Sequence, residues 1–304
     1  MVMNRFQRSW LLLKSSLSVI GSNKQLLVFP VVIFACTVTI ITFFLLPPLL
    51  RPTGHPYISA EHWQAISHSL FTNNGAHGEA QFTPAALVYM GFLYLLTMFI
   101  ATFCNVAFYH EILAALAGQP VSIARGLKFA FSKIWSVLMW SVFAGLVGLV
   151  IRMIEERLQL VGRIIGGLIG LAWSIAAVFA IPVIVTDEAN ANPFTVLRRS
   201  ATVLKRTWGE ALIGYAGLSF ANLFIMLGSI LWLFASIAVS VALHNYWIIA
   251  FSALSWLVAI CCWSYIVGVA SHVYRGALYL YAAQGLVPAP YTQEMMDAAW
   301  KFKK

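Results

Sequence analysis

The chain has 304 residues, of which 61% are hydrophobic and only 10% are charged, and its mean hydropathy is +0.84. Soluble domains carry about 25% charged residues, and a soluble monomer does not expose the apolar area that this composition implies. The composition therefore excludes an ordinary soluble protein and predicts an all-α polytopic membrane protein. The net charge of +9 does not indicate nucleic acid, because basic residues also collect on one side of membrane proteins.

Six apolar runs are each long enough to cross a bilayer, which takes about 20 residues in a helix. They lie near residues 26–50, 84–109, 134–153, 164–185, 211–243 and 247–273. The second, fifth and sixth runs are longer than a bilayer requires, so we expect them to tilt or to project into water. Residues 1–304 are predicted to form a single transmembrane domain, with an extracytoplasmic loop at 51–83 and a cytoplasmic tail at 285–304.

The basic residues are unevenly divided among the segments that connect these runs. Fifteen of the 19 Lys and Arg residues fall in the two terminal segments and in the connections 118–133 and 186–210, whereas four fall on the opposite side. The positive-inside rule therefore predicts that both termini are cytoplasmic. An odd number of spans would break this alternation, so the count favours six.

A short basic amphipathic helix is predicted before each pair of apolar runs. In the third such segment the apolar residues recur at alternating steps of three and four, which makes one stripe on a helix; the stripe is Phe194, Leu197, Ala201, Leu204 and Trp208. The same pattern begins at Phe6 and at Ile123. Basic residues cover the rest of each surface, so these helices are expected at the headgroup boundary. The predicted contacts with anionic lipid are Arg125, Lys128, Lys133, Arg198, Arg199, Lys205 and Arg206.

The second and third amphipathic segments also align with each other at one constant offset. Pro120, Ser122, Arg125, Lys133 and Trp135 match Pro193, Thr195, Arg198, Arg206 and Trp208. The first segment matches the third more faintly, through Arg8-Ser9 and Arg199-Ser200. The alignment predicts three repeated units, each an interfacial helix followed by a transmembrane hairpin. The alternative is that any basic helix entering a membrane has this pattern.

Three groups of motifs carry a family resemblance. Arg8-Ser9-Trp10 precedes Leu26-Leu27-Val28-Phe29-Pro30, Glu155-Glu156-Arg157-Leu158 leads into a glycine-rich run that reaches Trp173, and Arg199-Ser200-Ala201 precedes Arg206-Thr207-Trp208-Gly209-Glu210. In these motifs the chain resembles a family of uncharacterised bacterial inner-membrane proteins, domain of unknown function 6159. The resemblance covers most of the chain except the 51–83 loop. It implies a bacterial inner membrane and supplies no mechanism.

The fourth apolar run carries small residues at every fourth position. They are Gly162, Gly166, Gly170 and Ser174. Small residues at this spacing let two helix backbones approach closely in a membrane. We expect this face to pack against the third run within one hairpin, and a contact between two copies of the chain is the alternative.

Several other polar motifs have a simpler structural explanation. His110-Glu111 begins a zinc-protease pattern, but Ala114 stands where the second histidine is needed. The outer-loop histidines 55, 62, 68 and 77 lack ligand spacing on a helix, so a short helix near 59–71 under a solvated loop is predicted. Asn192-Pro193 is expected to start a helix as its N-cap and first residue.

No nucleophile with a base, no metal-ligand set and no cofactor motif is found, so no enzymatic activity and no cofactor are expected. The middles of the runs lack ionisable residues, which proton- or ion-coupled carriers usually need; Asn105 and Asn222 are the most polar residues there. The leading interpretation is a non-enzymatic accessory, scaffold or lipid-organising component of the bacterial inner membrane. Its expected partners are membrane lipids, a second copy of the chain or a larger membrane complex.

The alternative function is a transporter or channel for a neutral or lipidic molecule. The repeats and the glycine-rich runs favour it, because internal repeats are common in transporter folds. A cavity lined by Asn105 and Asn222 would favour this alternative over the first interpretation.

Overall fold

The structure is a computed structural model that describes residues 5–72, 81–157, 159–187, 192–206, 211–245 and 247–299. Side-chain surroundings are described for 10–72, 82–156, 164–187, 192–205, 226–245 and 247–296. The helices of these ranges are α1 (Arg5–Ser22), α2 (Val28–Leu49), α3 (Ala60–Leu70), α4 (Pro84–Leu116), α5 (Ile123–Ser132), α6 (Ile134–Arg157), α7 (Gln159–Ala176), α8 (Ala180–Thr186), α9 (Pro193–Arg206), α10 (Ala211–Ala242), α11 (Trp247–Gln284) and α12 (Gln293–Ala299). A 3-10 turn, Lys24–Leu27, precedes α2, and two short strands, β1 (Phe71–Thr72) and β2 (Gln81–Phe82), pair antiparallel with Phe71 opposite Phe82.

Five helical stretches in the described ranges are long and apolar enough to cross a membrane. They are Lys24–Leu49, Pro84–Leu116, Ile134–Glu156, Ile164–Thr186 and Trp247–Gln284. The helix α10 has 32 residues, and its apolar part with described side chains is Met226–Ala242. The prediction of an all-α chain with membrane-length helices is therefore confirmed. The crossing by α10, which would bring the number of spans to six, stays a prediction.

The long helices exceed the thickness of a bilayer. The helices α4 and α11 have 33 and 38 residues, which at about 1.5 Å per residue is about 50 Å and about 57 Å. The hydrocarbon core of a bilayer is about 30 Å thick. The extra length therefore has to lie outside the hydrocarbon or be absorbed by tilt.

The buried core lies at one end of the molecule, where the C-terminal parts of α4, α8 and α11 pack together. We call this the core end. Tyr109, Ile112, Val183 and Tyr274 are among its buried side chains. Large apolar side chains elsewhere on the long helices are exposed, as Phe34 on α2 is; lipid accommodates such a surface and water does not.

The three predicted amphipathic helices are present as α1, α5 and α9, and they surround the core end. The helix α5 packs on α4, α9 packs on α7, α8 and α11, and α1 packs on α10 and α11. In terms of the predicted units, α5 therefore lies against the end of the first unit and α9 lies against the end of the second. The helix α1 lies against the last helix of the third unit, α11. The same contact recurs three times, as repeated units would produce.

The buried face of α9 differs from the predicted stripe. Val196 and Ser200 are buried, whereas Phe194 is 68% exposed. The ring of Phe194 lies against Phe143 of α6, with 4.9 Å between ring centroids. One apolar edge of α9 therefore faces the core, and another edge, with Phe194, faces α6. A single apolar stripe does not predict two such edges.

The fourth apolar run, predicted as the span 164–185, is present as the membrane-length stretch Ile164–Thr186, and its helix is interrupted at 177–179. It breaks between α7 and α8, and Ser200 of α9 bridges the break. The Ser200 hydroxyl donates to the carbonyl oxygen of Ala176 at 2.5 Å and accepts from the N–H of Phe179 at 3.0 Å. Backbone polar groups without a partner are costly in an apolar environment, so this side chain makes the break tolerable.

Candidate functional site

A buried ion pair fixes α5 onto α4 at the core end. Glu111 is fully buried, and its two carboxylate oxygens accept from Arg125 Nε at 2.9 Å and from Nη2 at 2.6 Å. The backbone N–H of Ser122 donates to the same carboxylate at 2.7 Å. A buried charge is tolerated only with such partners. The hydrogen bonds that Arg125 donates to the Glu111 carboxylate raise the pKa of the guanidinium, so this arginine stays charged.

The ion pair requires a close approach of the two helices. A Cβ atom on Gly126 would lie 2.9 Å from the carbonyl oxygen of Ala107 and 2.9 Å from Cγ of Glu111. Any other residue would push α5 away from α4. Arg125 uses Nε and Nη2 for Glu111 and for the Pro120 carbonyl, and its contact with anionic lipid stays a prediction.

A cavity of about 710 Å³ lies between α8, α9 and the end of α11. Its polar lining consists of two arginines, an aspartate, three threonines and a tyrosine: Arg198, Arg199, Asp187, Thr186, Thr195, Thr202 and Tyr279. Arg199 Nη1 donates to Asp187 Oδ2 at 2.7 Å, and the Thr186 and Tyr279 hydroxyls are 2.6 Å apart. The cavity therefore combines guanidinium and hydroxyl groups, which are the usual donors to phosphate oxygens.

The start of α9 places these side chains on the cavity. Asn192 Oδ1 accepts from the N–H of Phe194 at 3.0 Å, and the Asn192 carbonyl accepts from Val196. This confirms the predicted helix start at Asn192-Pro193. Thr195, Arg198 or Arg199, and Thr202 then follow at helical steps, so one face of α9 lines the cavity.

The remaining basic residues of the predicted lipid contact have different surroundings. Lys133 Nζ donates to the backbone oxygen of Asp187, at the cavity's edge. Lys128 and Lys205 are exposed and do not line the cavity. The side chain of Arg206 lies outside the described residues. The structure thus brings Arg198, Arg199 and Lys133 together around Asp187, and it places Lys128 apart on α5.

The predicted glycine face lies partly against α6. Gly166 is buried, and a Cβ there would lie 2.3 Å from Cγ of Glu155. A Cβ on Gly170 would meet Ile151 Cγ2 at 3.7 Å, whereas Ser174 is exposed. Gly162 lies outside the residues whose side-chain surroundings are described. The neighbours of Gly166 and Gly170 both belong to α6, with Ile151 inside the predicted third run and Glu155 just beyond it. The energetic role of the glycine face stays a prediction.

The outer loop forms the short helix α3, close to the predicted 59–71. His62 is fully buried, with Nδ1 at 2.7 Å from the Thr53 hydroxyl and its ring against Tyr57 and Trp63. His77 lies outside the described residues. No group of three metal-ligating side chains occurs within the described part of the chain.

The sequence does not indicate the roles that four residues have in these arrangements, although two of them, Glu111 and Ser200, occur in motifs named above. The four are Glu111, Asp187, Ser200 and Tyr279. Glu111 is an acidic residue just beyond an apolar run, and Arg125 lies in the next connection. That signal suggests an ion pair only once the two helices are known to pack. Ser200 and Tyr279 carry no sequence signal, since their roles depend on neighbours far along the chain.

The chain matches no curated protein and no solved structure. One family model, described as a family of unknown function (DUF6159), matches residues 84–288. The matched region is more than half of the chain and contains the Glu111–Arg125 pair and every residue that lines the cavity. The chain therefore belongs to the DUF6159 family.

Proposed function

We propose that this chain is a non-enzymatic multi-pass protein of the bacterial inner membrane that binds and organises anionic lipid at its core end. The observation that carries the proposal is the cluster of exposed basic residues on α9 beside a polar cavity. Arg198, Arg199 and Lys205 are exposed there. A basic residue near an anionic leaflet contributes about 1 kcal/mol to membrane attraction.

In the proposed topology α10 is the fifth of six spans and both termini are cytoplasmic. Three pairs of long helices pack side by side, α2 with α4, α6 with α7 and α10 with α11. An even number of crossings returns the chain to its starting side. That side would carry fifteen of the 19 basic residues, as the positive-inside rule requires.

The transport alternative has no specific structural observation in its favour. Asn105 Nδ2 donates to the backbone oxygen of Ala101 in its own helix at 2.9 Å, and Asn105 does not line the cavity. The side chain of Asn222 lies outside the described residues. The lipid-binding proposal is therefore the one that the geometry supports best.

The proposal is tested by the lipid that co-purifies with the protein in mild detergent. Replacing Arg198, Arg199, Lys205 and Arg206 with glutamine should lower the retained phosphatidylglycerol and cardiolipin, measured by mass spectrometry. Salt should reduce the retention by the unaltered protein, because exposed charges are screened within about 10 Å at 0.1 M.

The control variant removes basic residues from the other end of the helices. Arg51→Gln with Arg152→Gln should leave the lipid content unchanged, because both residues are exposed and neither lines the cavity. An unchanged lipid content in the α9 variant would contradict the proposed function.

A further inference from the structure

We infer that the cavity between α8, α9 and α11 is a site for the phosphate group of one anionic glycerophospholipid per chain. The inference rests on the proposed function and narrows it from a basic surface to a single built site. Its elements are two guanidinium groups, a set of hydroxyl groups and a position at the end of a membrane-length helix.

The first element is the guanidinium of Arg198. Its counterpart in the preceding segment, Arg125, is paired with a carboxylate. Arg198 aligns with Arg125 at the constant repeat offset, and Ile184 stands at the position that aligns with Glu111. Arg125 is bidentate to Glu111, whereas within the described ranges no ion pair involves Arg198. The repeated unit therefore keeps the arginine, loses the buried acid and turns the guanidinium to the cavity.

The second guanidinium is held in place while keeping donors available. Arg199 uses Nη1 for Asp187, and a guanidinium has five N–H donors. Asp187 is itself anchored, since its backbone oxygen accepts from Lys133 Nζ. The described lining side chains carry two positive charges and one negative charge, which leaves a net positive charge for a phosphodiester monoanion.

Hydroxyl groups complete the lining and fit the polar part of a headgroup. The Thr186 hydroxyl donates to the Pro182 carbonyl at 3.0 Å, so the Tyr279 hydroxyl donates to Thr186 across their 2.6 Å contact; both oxygens can still accept a hydrogen bond. The Thr202 hydroxyl donates to the Arg198 carbonyl at 2.7 Å and can still accept. Donors and acceptors together suit a phosphate ester that carries hydroxyl groups, such as phosphoglycerol.

The size and the level of the cavity favour a lipid as the source of the phosphate. Its volume of about 710 Å³ lies within the range of about 300–1,000 Å³ typical of small-molecule sites. Lys133, which reaches Asp187, immediately precedes the membrane-length stretch Ile134–Glu156. Thr186, the last residue of the membrane-length stretch Ile164–Thr186, lines the cavity. The cavity is therefore level with the end of a span, where headgroups lie.

The inference is tested by titrating the delipidated full-length protein in detergent with dioctanoyl phosphatidylglycerol, followed by native mass spectrometry. One molecule should bind with clearly higher affinity than the others. Arg198→Gln should weaken this first binding event by about tenfold or more, as loss of a charge-assisted contact does. Lys205→Gln is the matched control, because it removes the same charge from an exposed position of the same helix outside the cavity.

A second variant distinguishes binding at one defined site from general electrostatic attraction of the lipid to the basic surface. Arg198→Lys keeps the charge but removes the planar fork that binds two phosphate oxygens, so it should also weaken the first binding event. Unchanged affinity of Arg198→Lys, or equal effects of Arg198→Gln and Lys205→Gln, would overturn the single-site inference. The proposed function would survive that result if the fourfold glutamine variant of α9 still lost lipid.

Further ligands identify the chemistry that the cavity recognises. Dioctanoyl phosphatidylcholine should bind more weakly, and equal binding would overturn the inference, since a zwitterion would then serve as well as an anion. Glycerol phosphate and inorganic phosphate should compete only at far higher concentration. Competition at the same concentration as the lipid would keep the phosphate site and assign it to a soluble phosphate ester.

Discussion

Arg125 and Arg198 occupy aligned positions of two repeated segments, yet the first is bidentate to the buried Glu111 and the second lines an open cavity. At the position that aligns with Glu111, the second segment has Ile184. The first arginine is thus paired within the protein, and the second is the one that we propose to bind a ligand.

The Glu111–Arg125 pair should contribute asymmetrically to stability. Arg125→Gln leaves a fully buried carboxylate without its guanidinium, with only the His110 ring and the Ser122 N–H beside it; breaking a buried pair costs up to about 3–5 kcal/mol. Glu111→Gln should cost less, because the Arg125 side chain is 38% exposed and water can solvate it. Thermal unfolding in detergent checks the order, with Lys128→Gln on the same helix as an exposed control. Equal losses in the two variants would show that burial of the carboxylate does not matter.

Gly126 should be irreplaceable at the contact between α5 and α4. Gly126→Ala would place a methyl group against the backbone oxygen of Ala107, and overpacking of this kind costs about 1–3 kcal/mol. Gly167→Ala is the matched control, since nothing lies within 4 Å of its Cβ position; there alanine should be neutral or stabilising in a helix. The melting temperatures of the two variants in detergent should therefore move apart, and a neutral Gly126→Ala would refute the close approach.

The glycine face of α7 should hold α6 close. Gly166→Leu must displace Glu155 and separate the two helices, with an expected loss of about 1–3 kcal/mol, whereas Gly167→Leu should be mild. Thermal stability and size-exclusion chromatography measure the outcome. Wild-type stability of Gly166→Leu would mean that this face is not packed. A monodisperse variant with a changed oligomeric state would assign the face to a contact between copies.

Ser200 should stabilise the break between α7 and α8. Ser200→Ala removes the partner of the Phe179 N–H and the Ala176 carbonyl, and a buried polar group left unsatisfied costs about 1–3 kcal/mol. Ser132→Ala, at an exposed position of α5, is the control for loss of a hydroxyl group. Faster backbone hydrogen exchange at 177–180 in Ser200→Ala would support the bridging role, and unchanged exchange with unchanged stability would exclude it.

The long helices were predictable because their signal is local. The predicted runs 84–109, 134–153 and 211–243 correspond to α4, α6 and α10, with ends that differ by a few residues. The α4 helix continues to Leu116 because its last turns are buried by protein at the core end, which hydropathy does not distinguish from lipid. The length and the apolar content of a run thus predict where a membrane helix lies. Burial of the last turns by protein extends α4 beyond the predicted run.

The candidate site was predictable only in part, because its chemistry arises between distant segments. Arg198 and Arg199 stood out as basic residues on an amphipathic helix. Their partners Asp187 and Tyr279 come from other helices, and no local spacing relates them. The break at 177–179 is likewise invisible in an apolar run, because the residue that makes it tolerable, Ser200, lies on α9.

We expect the basic helices α5 and α9, with the cavity beside them, to face the cytoplasm. Single cysteines at Ser67, Ser132 or Thr202, which are all exposed, can be introduced after Cys36, Cys104, Cys261 and Cys262 are replaced. A membrane-impermeant thiol reagent should label the cysteine at 67 in intact cells and those at 132 and 202 only after lysis. Labelling at 132 and 202 in intact cells would contradict the cytoplasmic orientation of α5 and α9.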